Sequence, residues 1–330
     1  MHEFVSLNET LIGIKQDDKI TELPGVCPVF DENKEFTNIL VVGNKNGIDN
    51  KINMPLLKKL FVDCKFVFNG RLASYTVKYY NNLERDFDGI MAMEYNLNRP
   101  KALNMVHSMM VRSMPEMNGF FYEPIKENRD YDFSILTKIG DNRNKRFDRC
   151  IRIIDYLCSQ HLRGILVTQT GYWRQIRDIQ GTFDKYYRMG YLKLEENMES
   201  HLFHKSMNRA KVGVFLSTLD SFPKHIIETI LSDKPVVISD DMTMGKDVCV
   251  PDFGIKITAD KTSSYRKIYQ FIKEDYKKYE NCRNRYLEKY SFEKISKLWA
   301  LEFNKLFKMD LKQIWFYNHK ERIEKAGLMK

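Results

Sequence analysis

The sequence predicts an α/β protein of two domains, each built on a mainly parallel sheet, with the N-terminal domain the shorter. Three observations predict it. The strongest apolar runs, at residues 36–42, 133–139, 164–168, 212–216 and 235–238, are short, continuous and rich in β-branched residues. That is the pattern of parallel strands covered on both faces. These runs alternate with amphipathic helical stretches at 54–61, 147–158 and 223–231. A polar, turn-rich segment at 124–132 (P-I-K-E-N-R-D-Y-D) then interrupts the alternation, after which it restarts. At 330 residues the chain has the length for two domains of ordinary size. The expected division is 1–128, 129–308 and a closing helix over 309–330 that crosses back to the N-terminal domain.

Residues 1–35 are weakly patterned, with short strands expected at 4–5, 11–14 and 26–30 around Pro24-Gly25. The strand at 36–42 leads through Gly43-Asn44-Lys45-Asn46-Gly47 into the helix at 54–61, a βα unit. Its glycines do not form G-x-G-x-x-G and no G-K-[ST] follows, so neither a dinucleotide fingerprint nor a P-loop is present. A strand at 64–68 and a helix at 73–83 come next, then a strand at 88–93 and apolar runs at 105–110 and 120–122. His107 is the only histidine between His2 and His161, so a histidine role in this domain would fall to it; a packed core residue is its plainer reading. The triplets Asp86-Phe87-Asp88 and Asp130-Tyr131-Asp132 raise the possibility of carboxylates holding a divalent cation. Each precedes its apolar run instead of ending one, so both read as strand-entry turns.

In the second half, the strand at 133–139 is followed by a cationic loop containing Arg143, Lys145 and Arg146, and then by the helix at 147–158. The strand at 164–168 leads to Tyr186–Leu192 and an expected helix over 195–208. Residues 210–240 hold the most informative unit: strand 212–216, polar loop, helix 223–231, tight turn, strand 235–238. Pro223 suits a first helical turn, Ser221 stands at the N-cap, and Ser232-Asp233 ends the helix. The loop thus leaves the carboxyl end of a parallel strand and enters a helix N-terminus, where free N–H groups and the helix dipole favour an anion. Seven residues separate Asp220 from Glu228. The plain reading of Glu228 is a surface i, i+4 pair with Lys224, worth a few tenths of a kcal/mol. Beyond it come a loop holding Gly245 and Asp247, a closing strand at 250–257, and basic helices at 264–277, 281–290 and 292–309.

The motif S-x-x-D-S-F-P-x-x-x-x-E-x-x-x-S-D-K-P-V-V, running from Ser217 to Val237, resembles the donor-site signature of family-four-like glycosyltransferases of GT-B architecture. The likeness covers about residues 131–307. It implies two Rossmann-like domains facing a cleft that binds a nucleotide-sugar. It implies that Asp220 faces the sugar, that the backbone of Ser221, Phe222, Pro223 and Lys224 cradles the diphosphate, and that Glu228 accepts from the ribose hydroxyls. Lys145 falls on the family's phosphate-binding lysine. Gly140 occupies the place of the family arginine, with Arg143 as its substitute. Gly190, Tyr191 and Leu192 fall on the segment whose backbone meets the nucleobase. Gly43 and Gly47 fall on the acceptor side. Asp220 stands where a Glu is usual and Pro223 where a Gly is usual. The resemblance implies sugar transfer, hexosyl or pentosyl, that is retaining and independent of any metal or cofactor, with the nucleotide-sugar as substrate.

Composition sets the outer bounds. With 43% hydrophobic and 29% charged residues the chain reads as an ordinary soluble protein. No apolar run approaches the roughly 18–20 residues of a membrane span, and the first residues lack a basic-then-apolar leader, so a cytoplasmic location is expected. The six cysteines are scattered without C-x-x-C, which argues against structural zinc and a disulfide framework. The net charge of +9 suits either solvated basic faces or an anionic partner. The acceptor therefore stays open among polysaccharide, lipid-linked sugar, protein and modified DNA. A peripheral anionic surface, or a non-catalytic nucleotide- or nucleic-acid-binding role on the same fold, is compatible with the same charge.

Overall fold

The computed structural model describes residues 3–8, 11–16, 19–43, 54–69, 83–92, 98–104, 129–137, 145–168, 177–196, 206–218, 224–242, 251–290 and 292–316. In chain order the strands and helices begin with β1 (Glu3–Asn8), β2 (Leu11–Gln16), β3 (Lys19–Pro24), β4 (Val26–Asp31), β5 (Phe36–Gly43), α1 (Met54–Leu60), β6 (Lys65–Asn69), β7 (Gly89–Ala92) and β8 (Ala102–Asn104). They continue with β9 (Tyr131–Thr137), α2 (Phe147–Ser159), β10 (Gly164–Thr168), α3 (Arg177–Arg188), β11 (Leu192–Glu196), β12 (Ala210–Phe215), α4 (Lys224–Leu231), β13 (Val236–Ser239) and β14 (Gly254–Ile257). The last are α5 (Thr262–Lys273), a 3-10 turn at Asp275–Tyr279, α6 (Cys282–Tyr290), α7 (Phe292–Phe307) and β15 (Ile314–Phe316). The chain forms two compact units, Met1–Glu116 with Phe292–Lys330, and Met117–Ser291.

In the first unit a six-stranded sheet runs β15-β4-β5-β6-β7-β8. The β5-β6-β7-β8 part is parallel, and β4 and β15 add an antiparallel edge. A separate meander, β1-β2-β3, sends Ile14 and Leu23 into the same core as Leu40, Val42, Phe61, Phe66 and Ile90. Helix α7 buries Ile295, Trp299, Ala300 and Phe303 on one stripe, the i, i+4 spacing of an amphipathic helix. After it, Asn304 turns the chain: its Nδ2 donates to the Leu311 carbonyl at 2.7 Å and its Oδ1 accepts from the Leu311 N–H at 2.8 Å.

The second unit is a six-stranded, all-parallel sheet in the order β11-β10-β9-β12-β13-β14. Counting its strands along the chain, that order is 3-2-1-4-5-6, the doubly wound Rossmann arrangement. Its core joins Phe133, Ile135, Leu166, Val212 and Val214 from the strands to Phe147, Cys150, Ile153, Ile154 and Leu157 of α2 and Ile268 and Phe271 of α5. Two glycines set strand spacing. A Cβ on Gly164 would lie 2.2 Å from the Phe133 ring, and one on Gly254 would lie 1.8 Å from the Val236 carbonyl oxygen.

Six elements differ from expectation. Residues 309–330 were expected to form a helix, but Ile314–Phe316 is a strand paired antiparallel with β4 in the first unit. Ile-Trp-Phe is a β-favouring triplet, and Ile314 is buried there. The preceding helix α7, expected with the second domain, belongs to the first unit. The helix expected over 195–208 does not begin at Glu195, because Leu192–Glu196 is strand β11. The alternation L-K-L-E-E carries the strand period, with Leu192 turned into the core. Helix α3 and strands β3 and β8 were not anticipated. The helix expected at 73–83, apart from Leu83, and the runs at 105–110 and 120–122 lie outside the described residues.

Candidate functional site

In a doubly wound sheet the ligand crevice lies outside the carboxyl ends of the strands where the order reverses. Here that point falls between β9 and its neighbour β12. The crossover from β9 to β10 carries Lys145 and the start of α2, and the crossover from β12 to β13 carries Ser217, Thr218 and α4. The sheet being parallel, both segments leave from the same edge. Lys145, Ser217 and Glu228, spread over more than eighty positions, thus belong to crossovers that leave this same carboxyl edge.

Each residue at this edge has a local cause. Ser217 follows β12 and is 7% exposed, against the buried Leu216. Glu228 sits on α4 and is 5% exposed. It is therefore not on a solvated face, and its Oε2 lies 2.6 Å from His225 Nδ1, one helical turn back. The same turn is fastened by Thr229 Oγ1, donating to the His225 carbonyl at 2.7 Å, and by Ser232 Oγ, donating to the Glu228 carbonyl at 2.9 Å. Helix α4 approaches β12 closely, since a Cβ on Gly213 would fall 2.7 Å from Thr229 Cγ2. The helix ends at Asp233 in the left-handed conformation (φ 58°), and the following Lys234 is fully buried with its Nζ donating to the Met207 carbonyl.

A second cluster at this edge was missed by sequence reasoning. Arg149, 3% exposed on α2, reaches the carboxyl ends of β13 and β14. Its Nε donates to Asp260 at 3.0 Å, its Nη1 to Asp241 at 3.0 Å and to Ser239 Oγ at 3.3 Å, and its Nη2 to Asp241 at 2.7 Å and to Asp260. Burial opposes the guanidinium charge, but the two carboxylates outweigh it and hold Arg149 more firmly protonated than usual. Asp260 is lowered, first by its bond from Arg149. Asp241 is lowered too: burial alone would raise it, and Arg149 and Ser239 prevail. Arg146, in the left-handed conformation (φ 47°, ψ 53°) before α2, pairs with Asp148 at 2.9 Å, and Arg152 pairs with Asp148 and Asp260. The available signal was Arg149 itself, four residues before Ile153 on the buried stripe of α2, where an unpaired charge would not be tolerated.

Other expected residues fall elsewhere. Gly190, Tyr191 and Leu192 do not join the crevice: they enter β11, so they sit at the amino edge of a parallel sheet, the edge opposite Ser217. There Gly190 closes a turn at φ 74°, and the Tyr191 carbonyl accepts from the Gly164 N–H at 2.8 Å. Gly43 ends β5 in the first unit, and its N–H is spent on the Gly25 carbonyl at 2.7 Å. The D-x-D carboxylates are held by neighbours, Asp86 by Arg85, Asp88 by the Phe66 N–H, Asp130 by Arg209 and Asp132 by Lys211. Among the described residues no group of three or more His, Cys, Asp or Glu side chains is placed to hold a metal. Gly47, His107, Gly140, Arg143, Asp220, Ser221, Phe222, Pro223, Gly245 and Asp247 lie outside the described residues, as does the side chain of Lys224.

No protein-family model and no curated protein sequence matches the chain. Among solved structures it is similar to a variant of Staphylococcus aureus TarM, with 12% identity over 92% of this chain and 80% of that one, at a TM-score of 0.54. It is similar to the pneumococcal O-GlcNAc transferase GtfA, with 13% identity over 91% of this chain and 70% of that one, at 0.51. A Rickettsia africae glycosyltransferase matches with 10% identity over 82% and 77%, at 0.53. The fold is thus the GT-B fold of these glycosyltransferases, an α/β chain with two Rossmann-like domains. Among the described residues no helix is long and apolar enough to cross a membrane.

Proposed function

We propose that this chain is a glycosyltransferase that moves a sugar from a nucleotide-sugar donor to an acceptor, with retention and without a metal. One observation carries the reading: the 3-2-1-4-5-6 order sets the Lys145 crossover and the α4 segment bearing buried Glu228 on one carboxyl edge, beside the point where the order reverses. The fold likeness supports it, since the TarM variant is described in complex with fondaparinux, α-GlcNAc-glycerol and UDP, and GtfA with UDP and GlcNAc.

In this mechanism the donor diphosphate rests against the backbone of Ser221, Phe222, Pro223 and Lys224 that leads into α4, with N–H donors from all but Pro223 and cationic charge from Lys145 and Arg143. These groups stabilise the charge that grows on the leaving nucleoside diphosphate. Asp220 steadies the sugar ring as oxocarbenium character develops. Glu228, held in one orientation by His225, accepts hydrogen bonds from the ribose hydroxyls. A carboxylate fixed in advance loses little entropy on binding.

The test is a thermal-shift screen with UDP-, GDP- and ADP-sugars, followed by a transfer and hydrolysis assay with each donor that binds. A donor at about 100 times its Kd adds about 2.7 kcal/mol of stability, or roughly 5–10 °C for a domain of this size. The shift and the turnover are both expected to fall away in Lys145→Ala and Glu228→Gln. A chain that melts at one temperature with every donor, and turns none over, is not a glycosyltransferase.

A further inference from the structure

A cavity of about 300 Å³ opens on the amino edge of the second unit's sheet, the edge away from the proposed donor crevice. Arg129 and Pro235 enter it from the starts of β9 and β13, and Asp233 from the turn after α4. Its other wall is Tyr276, Tyr279, Glu280 and Asn281, on and after the 3-10 turn. None of these residues is used by the proposed transfer reaction. The seven residues of β9, at about 3.3 Å each, put this edge about 20 Å from the carboxyl edge.

The walls are prepared for a ligand. Tyr276 and Tyr279 are three apart in a 3-10 turn, where i and i+3 eclipse, so both rings stand on one side. Both rings pack partly against the core of the unit, and Tyr279 lies 5.5 Å from Phe271, so they are fixed before any ligand arrives. Arg129 is oriented by the bond from its Nη2 to the Asp233 carbonyl at 3.0 Å. Asp233 Oδ1 accepts from the Arg283 N–H at 3.2 Å, and Asn281 holds the wall in a left-handed turn at φ 62°. The cavity therefore offers aromatic rings beside a guanidinium, carboxylates and an amide.

Those groups select among ligand classes. A phosphate would meet the carboxylates of Asp233 and Glu280. A purely apolar ligand would strand the polar groups without partners. A pyranose fits both features: its C–H face lies on a ring, and its neighbouring hydroxyls each donate and accept. The volume is at the small end for ligand pockets, about 300–1,000 Å³, which suits one sugar unit. We propose that this cavity is a glycan-binding site that seats a pyranose unit of the acceptor or product chain. The proposal rests on the reading of the chain as a glycosyltransferase. A polymer held here and at the crevice gains effective concentration that a single sugar does not.

Saturation-transfer NMR on the full chain tests it, with methyl gluco-, galacto- and mannopyranoside and methyl N-acetylglucosaminide as probes. At least one probe is expected to show transfer that persists in saturating UDP-, GDP- and ADP-sugar and in Glu228→Gln. Arg129→Gln and Tyr276→Ala are expected to weaken that probe at least about tenfold, 1.4 kcal/mol of binding free energy. Because Tyr276 also packs on the core, Tyr276→Phe serves as a second variant, retaining the ring and most of the affinity. No transfer from any probe overturns the proposal, as does transfer abolished by a donor or unchanged in Arg129→Gln. Failure of the donor screen with intact pyranoside binding here sinks the enzyme reading and, with it, the acceptor role of this cavity.

Discussion

Replacing Arg149 with Met removes the centre of a charged cluster while keeping the length of the apolar stem. The Arg149 side chain is 4% exposed, whereas those of Asp241 and Asp260 are 41% and 50% exposed. Breaking a fully buried pair costs about 3–5 kcal/mol. Because the aspartates retain water, the expected cost is smaller, about 2–3 kcal/mol, the scale of lost bonds to a charged group. For a domain of this size that is a fall in Tm of roughly 4–12 °C at neutral pH. The pH dependence gives a sharper check. Both aspartates have folded pKa values below their ordinary ones. Their stabilisation is thus complete above the ordinary aspartate value, about 3.9, and is lost as pH falls through the depressed values. Calorimetry of wild type and Arg149→Met is therefore expected to show a gap that is widest near neutrality and narrows progressively as the pH is taken below the ordinary aspartate value. A gap that does not narrow on acidification refutes the reasoning, as does no gap at pH 7.

Other outcomes follow from single contacts. Gly254→Ala forces a Cβ onto the Val236 carbonyl, which belongs to the adjacent strand and cannot turn aside. A loss of about 1–3 kcal/mol is expected in denaturant titration. Burial pushes the thiols of Cys150 and Cys158 up to about 12, so iodoacetamide at pH 8 is expected to leave both unlabelled in the folded chain and to label them in urea, read by peptide mass spectrometry. Burial, and secondarily the charge of Arg129, lowers the amine of Lys234 well below its ordinary value. Wild type therefore gains stability as pH rises toward about 10.4. Lys234→Met lacks this dependence, so its Tm relative to wild type is expected to be higher at pH 7 than at pH 10.

The parallel architecture was legible because buried strands announce themselves as short runs such as those in β10 and β12, which need no partner to be recognised. Strand β11 was missed because its period is hidden by polar helix formers: in L-K-L-E-E only the two leucines face the core. The spacing singled out Glu228 as a candidate, but the plain surface reading of its environment does not hold, since it is buried. Spacing on a helix says which residues share a face, not whether another element covers that face, and His225 three residues earlier looks the same in either case. The nucleobase assignment to Gly190, Tyr191 and Leu192 failed on direction. The segment was expected to lead into a helix, and only the pairing of Leu192–Glu196 with β10 shows that it enters a parallel strand at the amino edge. The Arg149 cluster joins residues about a hundred positions apart, and no local pattern links Arg149 to Asp260.

That cluster also decides which cation can serve the donor. Bonds to Asp260, Asp241 and Ser239 engage all three guanidinium nitrogens of Arg149. Arg146, Arg149 and Arg152 stand against Asp148, Asp241 and Asp260, three charges of each sign, so the cluster brings no surplus positive charge to the crevice. Under the proposed reading, a nucleoside diphosphate there draws its neutralisation from Lys145, Arg143 and the backbone N–H groups leading into α4. The two kinds of variant are then expected to separate. Lys145→Ala should weaken donor binding about tenfold or more, the loss of one charge-assisted bond of about 1.5–3 kcal/mol, while its Tm without donor stays near wild type. Arg149→Met should show the reverse, a lowered Tm with donor affinity changed less than tenfold at a temperature where the chain is folded. If Arg149→Met abolishes donor binding in the folded chain while Lys145→Ala leaves it intact, the positive charge that meets the diphosphate has been assigned to the wrong residue.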